Sequence, residues 1–344
     1  MVYRKKAAVL SVLVVILALV YTLTLVFDPE RQNSQAFSWL DSGSLDLVDG
    51  LEIAGSGGTT VLSRKDNIWV FADTDTGGPR RELPVKQARV DDFLAILTQK
   101  AVYPLRAASA DAGEKLGFGE GNASRILVRG GGGLPLLDLL VGAADALGKE
   151  VYLKRADKSE IYSGEDRFTL YTESAPNSWY DLRLFPAASN SPRGNGSASV
   201  PARPAGGSGI DAGMVQQAEV SLPGAGEGAA PETFTLRRSG ENWVLLGNAS
   251  AVIDSPKTEA WLRSILEAEG DDFGAAAPAP VEGSVTLRLG NGSSRTIQVG
   301  PEDTQKRRTA SVSGSSLTYV LAEWTLNRLF RESSYFLKTA SEAP

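Results

Sequence analysis

The sequence predicts an α+β protein: an N-terminal single transmembrane helix, then two duplicated domains of antiparallel hairpins and meander sheet with one main helix each. Three observations predict it. An apolar run without a charge lies near the N-terminus, a strand-and-helix pattern occurs twice, and the stretch between the copies holds too little apolar surface to order itself.

Residues 7–27, AAVLSVLVVILALVYTLTLVF, are the apolar run. As a helix they rise about 31 Å, the thickness of a bilayer's hydrocarbon core. Arg4, Lys5 and Lys6 precede the run and Asp28 and Glu30 follow it. The positive-inside rule then puts the N-terminus in the cytoplasm and the rest of the chain outside. Ser34 and Ala36 form a small-x-small pair of the kind a signal peptidase reads. The run is much longer than the roughly 7–15 residues of a signal h-region, which favours an uncleaved anchor. With no cysteine in the chain, a lipid-anchored lipoprotein is excluded.

The first copy runs from VDGLEIAG (48–55) through TVLSRKDNIWVFA (60–72) to LPVKQARVDDFLAIL (83–97). The second runs from VQQAEVSLPG (215–224) through TFTLRRSGENWVLL (233–246) to IDSPKTEAWLRSIL (253–266). Leu62 and Arg64 match Leu236 and Arg238, and Trp69 and Trp243 follow at the same distance. The turns KDN and SGEN suit tight hairpins. Val90, Phe93, Leu94 and Leu97 lie at helical spacing, as do Trp261, Leu262, Ile265 and Leu266, so each copy predicts one amphipathic helix. Ser255 before Pro256 reads as an N-cap followed by proline in the first turn.

The match continues through RILVRGGGGLPLLDLLVGAAD (125–145) and VTLRLGNGSSRTIQVGPED (285–303), each two strands about a glycine-rich turn, with Val-Gly near the end of the second. VYLKRADKSEIYSG (151–164) and RTASVSGSSLTYVLA (308–322) predict a further hairpin in each, then a short helical stretch and an aromatic end. The resulting plan is a cytoplasmic 1–6, anchor 7–27, stalk 28–44, first repeat domain 45–186, flexible Gly/Pro/Ser linker 187–212, second repeat domain 213–338 and tail 339–344.

Composition narrows the chemistry. The chain has 35 basic and 41 acidic residues and a net charge of −6, and no basic face for phosphates stands out, so nucleic acid is not an expected partner. With no Cys and no His, disulfides, thiolate nucleophiles, the usual zinc sites and imidazole-based triads are excluded. No Ser-x-x-Lys occurs either.

The ordered set of N-terminal apolar helix, Leu-x-Arg hairpin with Trp69, LPVKQARVDDFLAIL, EKLGFGEGNASRILV, LLVGAAD, VYLKR and WYDLRLF resembles a bacterial family of membrane-anchored proteins carrying a domain of unknown function. That domain also occurs in auxiliary proteins of gliding-motility-type ABC transporters. The resemblance covers most of 45–186 and recurs more weakly over 213–338. It implies a place in the bacterial inner membrane, the bulk of the chain extracytoplasmic, and a permease/ATPase complex of the ABC type as partner. The family has no assigned catalytic residues, so none is carried across.

Candidate sites are few. Trp69 and Trp243, at matched strand positions, point to core rather than to a stacking platform. GFGEG (117–121) and RGGGG (129–133) lack the spacing of nucleotide loops and read as turns. DTDTGG (73–78) begins like a calcium loop, but Pro84 stands where the bidentate glutamate belongs, so it reads as a hairpin tip. The adjacent acids Asp91 and Asp92, and Asp271 and Asp272, are pairs of a kind that can do acid–base work, but neighbours in sequence point apart. The expected function is a non-catalytic interaction or scaffold subunit with no cofactor or metal. The alternatives are a saccharide- or peptide-binding module in the cleft between the repeats, and a carboxylate-based hydrolase.

Overall fold

The computed structural model describes residue 17 and residues 36–72, 82–185, 210–223 and 232–338. The expected span 7–27 lies outside the described residues save for Leu17, as does the DTDTGG tip. Among the described residues no helix is long and apolar enough to cross a membrane. The fold is mixed α+β, mostly antiparallel sheet with few helices, and the chain divides into two compact units, Met1–Tyr180 and Asp181–Pro344.

The first unit reads β1 (Ala36–Phe37), β2 (Val48–Gly55), β3 (Gly58–Lys65), β4 (Ile68–Ala72), β5 (Glu82–Pro84), α1 (Gln87–Thr98), β6 (Ala101–Val102), β7 (Leu105–Ala107), β8 (Ser124–Gly130), β9 (Leu134–Ala144), β10 (Glu150–Arg155), β11 (Ile161–Glu165) and α2 (Thr169–Thr172). Nine strands form one sheet in the order β5-β4-β3-β2-β8-β9-β10-β11-β7, and β1 pairs separately with β6. Alternation puts one row of each strand on the core face. Leu62, Leu51, Val128 and Leu137 are successive cross-strand partners, and all are buried. α1 closes that face with Val90, Phe93, Leu94 and Leu97, worth about 1.5–3 kcal/mol each when fully buried. On the opposite face Arg125 makes a bidentate pair with Asp138 and Arg129 reaches Glu52.

The second unit reads β12 (Val215–Ser221), β13 (Thr233–Ser239), β14 (Asn242–Leu245), α3 (Ser255–Leu266), β15 (Asp272–Phe273), β16 (Gly283–Leu289), β17 (Ser294–Glu302), β18 (Arg308–Val312), β19 (Thr318–Leu321) and α4 (Glu323–Leu329). Its eight strands run β14-β13-β12-β16-β17-β18-β19-β15. Phe234, Val220, Val285, Ile297 and Val312 form a buried cross-strand row, and α3 covers it with Trp261, Leu262, Ile265 and Leu266. Strand for strand this is the order of the first sheet without an equivalent of β5.

The turns are those the residues suggest. Asp66 and Asn67 both take positive φ between β3 and β4, and Gly240 does so between β13 and β14, the twist a two-residue hairpin needs. The N-cap of α3 is Asp254 rather than Ser255: the Asp254 carboxylate accepts from the Lys257 N–H, while the Ser255 hydroxyl turns toward β14.

The division between units falls at Tyr180–Asp181, inside WYDLRLF, not at 186/187. Trp179 and Tyr180 close the first unit, where the Lys86 N–H donates to Trp179 O and Val85 bridges Tyr180. The next residues open the second: Leu184 N–H donates to Ala268 O, Gly270 N–H to Leu182 O, and Arg183 bridges Glu269. In the first unit β1 takes the same role against β6. Of the expected linker 187–212, all but residues 210–212 lies outside the described residues.

Candidate functional site

The recurring Arg-and-Trp motif is a clamp between strand and helix. In the first unit Trp69 is 4% exposed and lies across from Arg64. Gln87, the first residue of α1, accepts from the Trp69 N–H (2.9 Å) and donates to the carbonyls of Trp69 (2.8 Å) and Val85 (3.0 Å). In the second unit Trp243 is 2% exposed and Ser255, the first residue of α3, accepts its N–H at 3.0 Å. One turn on, Glu259 accepts from the Trp243 indole N–H and pairs with Arg238, whose guanidinium stands 4.9 Å over the indole. The corresponding acid in the first unit is Asp91. Although its side chain reaches solvent, partial desolvation against the fold raises its pKa, and the nearby Arg64 charge holds it back only in part. Both tryptophans are core.

A second recurring contact closes each unit. Arg89 stands 4.9 Å over Trp179 and 5.1 Å over Tyr171, and at the corresponding helix position Lys257 stands 4.2 Å over Tyr335. The ring pair beneath exchanges its members: Phe93 meets Trp179 in the first unit and Trp261 meets Phe336 in the second.

The members of each acid pair have their own surroundings. Asp91 and Asp92 are exposed on α1. Asp271 accepts from the Ala322 N–H and the Trp324 indole N–H, fixing the start of α4, whereas Asp272 accepts from its neighbour's N–H. Among the described residues no cluster of three or more His, Cys, Asp or Glu could hold a metal ion. The glycine segments form turns, with open space around Gly121, Gly131, Gly132 and Gly133. Gly117 and Gly121, and Gly132 and Gly133, take positive φ, and the loop through Leu116 and Phe118 lies directly on Gly142 of β9.

The concave feature that sequence reasoning missed lies in the first unit, a cavity of about 300 Å³ between the end of α1, β6 and the turn after β11. Ile96, Val102, Tyr103 and Phe168 supply its apolar wall and Gln99, Glu165 and Arg167 its polar rim. Arg167 spans the rim, pairing with Glu165 at 2.5 Å and donating to the Gln99 side-chain oxygen at 3.1 Å. Burial raises the Tyr103 phenol pKa. No short motif could have signalled this place, since its residues come from three separated segments. The arrangement can receive a ring or aliphatic group and meet polar atoms at its mouth; it contains no nucleophile–base pair.

No protein-family model matches the chain, and no curated protein matches it either.

Proposed function

We propose that this chain is a single-pass envelope protein anchored in a bacterial inner membrane by residues 7–27. Its two units arose by internal duplication and act as an interaction or scaffold subunit of an ABC-transporter-type complex, without catalysis. The observation that carries the reading is the coincidence of two features. An uncharged, bilayer-length run with Arg4, Lys5 and Lys6 before it leads into a body whose two sheets repeat one strand order. Duplication accounts for that order, for the Trp69 and Trp243 clamps and for the exchanged ring pairs. The family resemblance supplies the transporter, and that step is by analogy.

The test is a mild-detergent pull-down of the full-length protein from its native membranes, beside a form lacking residues 1–27 and exported by a cleavable signal. Co-purification of a permease or ATPase with both forms supports docking through the units. Recovery of the full-length protein alone, from membranes in which the transporter is intact, overturns it. A second reading, binding of a small ligand, is favoured by the cavity beside Arg167, and it moves the ligand from a cleft between the repeats into the first unit.

A further inference from the structure

The second unit carries a peptide linkage whose own chemistry can convert it. Asn-Gly occurs at 195–196 and at 291–292, and the first of these lies outside the described residues. Asn291 and Gly292 form the tip of the hairpin between β16 and β17, and both are exposed. An asparagine before a glycine is open to attack by the glycine nitrogen on the side-chain amide carbon, because glycine has no Cβ to obstruct the approach. The hairpin at the corresponding place in the first unit, between β8 and β9, turns through Gly131–Gly133 and has no side-chain amide there.

The folded tip engages both reacting groups. The Gly292 N–H donates to the Leu289 carbonyl at 3.0 Å, and the Leu289 N–H donates to the Ser293 carbonyl at 2.8 Å, which closes the turn with Gly292 at a φ of 83°. The Asn291 side-chain oxygen accepts from the Ser293 N–H at 3.0 Å and from the Ser293 hydroxyl at 2.7 Å. The Gly290 N–H donates to the Met214 carbonyl at 2.8 Å, tying the tip to the start of β12. A β-carbon built on Gly292 would meet nothing within 4 Å, so no neighbouring side chain covers this nitrogen. Hydrogen bonds alone restrain the pair, and they last only while the turn is closed.

We propose that Asn291 is a deamidation site whose rate is set by the opening of this turn. When the tip opens, the Gly292 nitrogen gives up its proton to water and bonds to Asn291 Cγ. The Cγ–Nδ2 bond breaks, and the amide nitrogen leaves as ammonia. Water then opens the five-membered imide at either carbonyl, giving aspartate or isoaspartate. The balance is one water consumed and one ammonia released, with nothing oxidised or reduced. Both products add a negative charge at the tip. Isoaspartate also inserts a carbon into the main chain and lengthens the loop that Leu289 and Ser293 close, so the original turn does not re-form. The hairpin thereby keeps a one-way record of its own openings. This chemistry stands apart from the interaction reading and holds whatever partner the chain has.

The full-length protein is incubated at mildly alkaline pH, once folded in detergent micelles and once unfolded in guanidinium. Mass spectrometry of the tryptic peptide 289–295 then follows the amide, aspartate and isoaspartate forms with time. Ser293→Ala, which removes the hydroxyl bond and keeps the main-chain one, is treated in the same two ways. The unfolded chain should convert at Asn291, and the folded parent should do so more slowly by about tenfold or more, since the turn must first open. Ser293→Ala should speed the folded-state reaction by about fivefold, the scale of one hydrogen bond, and leave the unfolded rate unchanged. No conversion in the unfolded chain, equal rates in folded and unfolded parent, or a folded Ser293→Ala that converts no faster than the parent overturns the proposal. Should Ser293→Ala fail to fold, the ratio of unfolded to folded rates in the parent decides alone.

Discussion

Gly142 tests whether the repeated Val-Gly is a packing requirement. A β-carbon at Gly142 would lie 2.4 Å from the Leu116 carbonyl oxygen and 2.9 Å from Phe118 Cζ. That is about 1 Å inside van der Waals contact with a backbone atom, which cannot rotate away. At the corresponding Gly300 it would meet Thr309 Oγ1 at 3.0 Å and Pro278 Cβ at 3.1 Å, contacts that a few tenths of an ångström relieve. Overpacking costs about 1–3 kcal/mol, so Gly142→Ala should take the upper end, about 3 kcal/mol, and Gly300→Ala about 1 kcal/mol. At roughly 3 °C per kcal/mol, the corresponding unfolding transitions should fall by about 9 °C and about 3 °C. Differential scanning calorimetry of the full chain measures both. Adding Phe118→Ala to Gly142→Ala should restore less than half of the loss, because the obstructing atom is the Leu116 carbonyl. A Gly142→Ala protein no less stable than Gly300→Ala would refute the reasoning.

Other outcomes follow from the clamps. Gln87→Ala removes three hydrogen bonds to the main chain of β4 and Val85 and should destabilise the first unit by about 2–3 kcal/mol in urea unfolding. A change below about 0.5 kcal/mol, the scale of an ordinary surface substitution, would remove the clamp from the account. Glu259→Ala strips an acceptor from both Arg238 and the Trp243 indole and should cost the second unit about 2 kcal/mol, with Arg238 still bonded to the Val215 and Ala212 carbonyls. An unchanged transition would count against it. Asp91 has a folded-state pKa raised by partial desolvation, so its ionised form opposes folding above the ordinary carboxylate range, and the penalty fades as acid protonates it. Asp91→Asn should therefore be more stable than the parent near pH 7, with the gap closing below about pH 4 and kept small by solvent at this exposed position. A gap that widens on acidification would reverse the sign.

Sequence periodicity by itself determined the local elements. The apolar stripes of α1 and α3 are buried residue for residue, and Asn67 and Gly240 sit where a hairpin demands positive φ, because these choices depend on neighbours a few residues away. The α+β class followed from the same short-range signals. Tertiary structure decided what depends on partners distant in sequence. Leu182–Leu184 belongs to the second unit because its main-chain groups are satisfied by Ala268 and Gly270, beyond the reach of any local pattern, and this moved the boundary into WYDLRLF. The cap of α3 passed to Asp254 because β14 claims the Ser255 hydroxyl. The requirement for Gly142 and the cavity beside Arg167 likewise appear only when separate segments meet, since volume left between chain segments has no signature within any one of them.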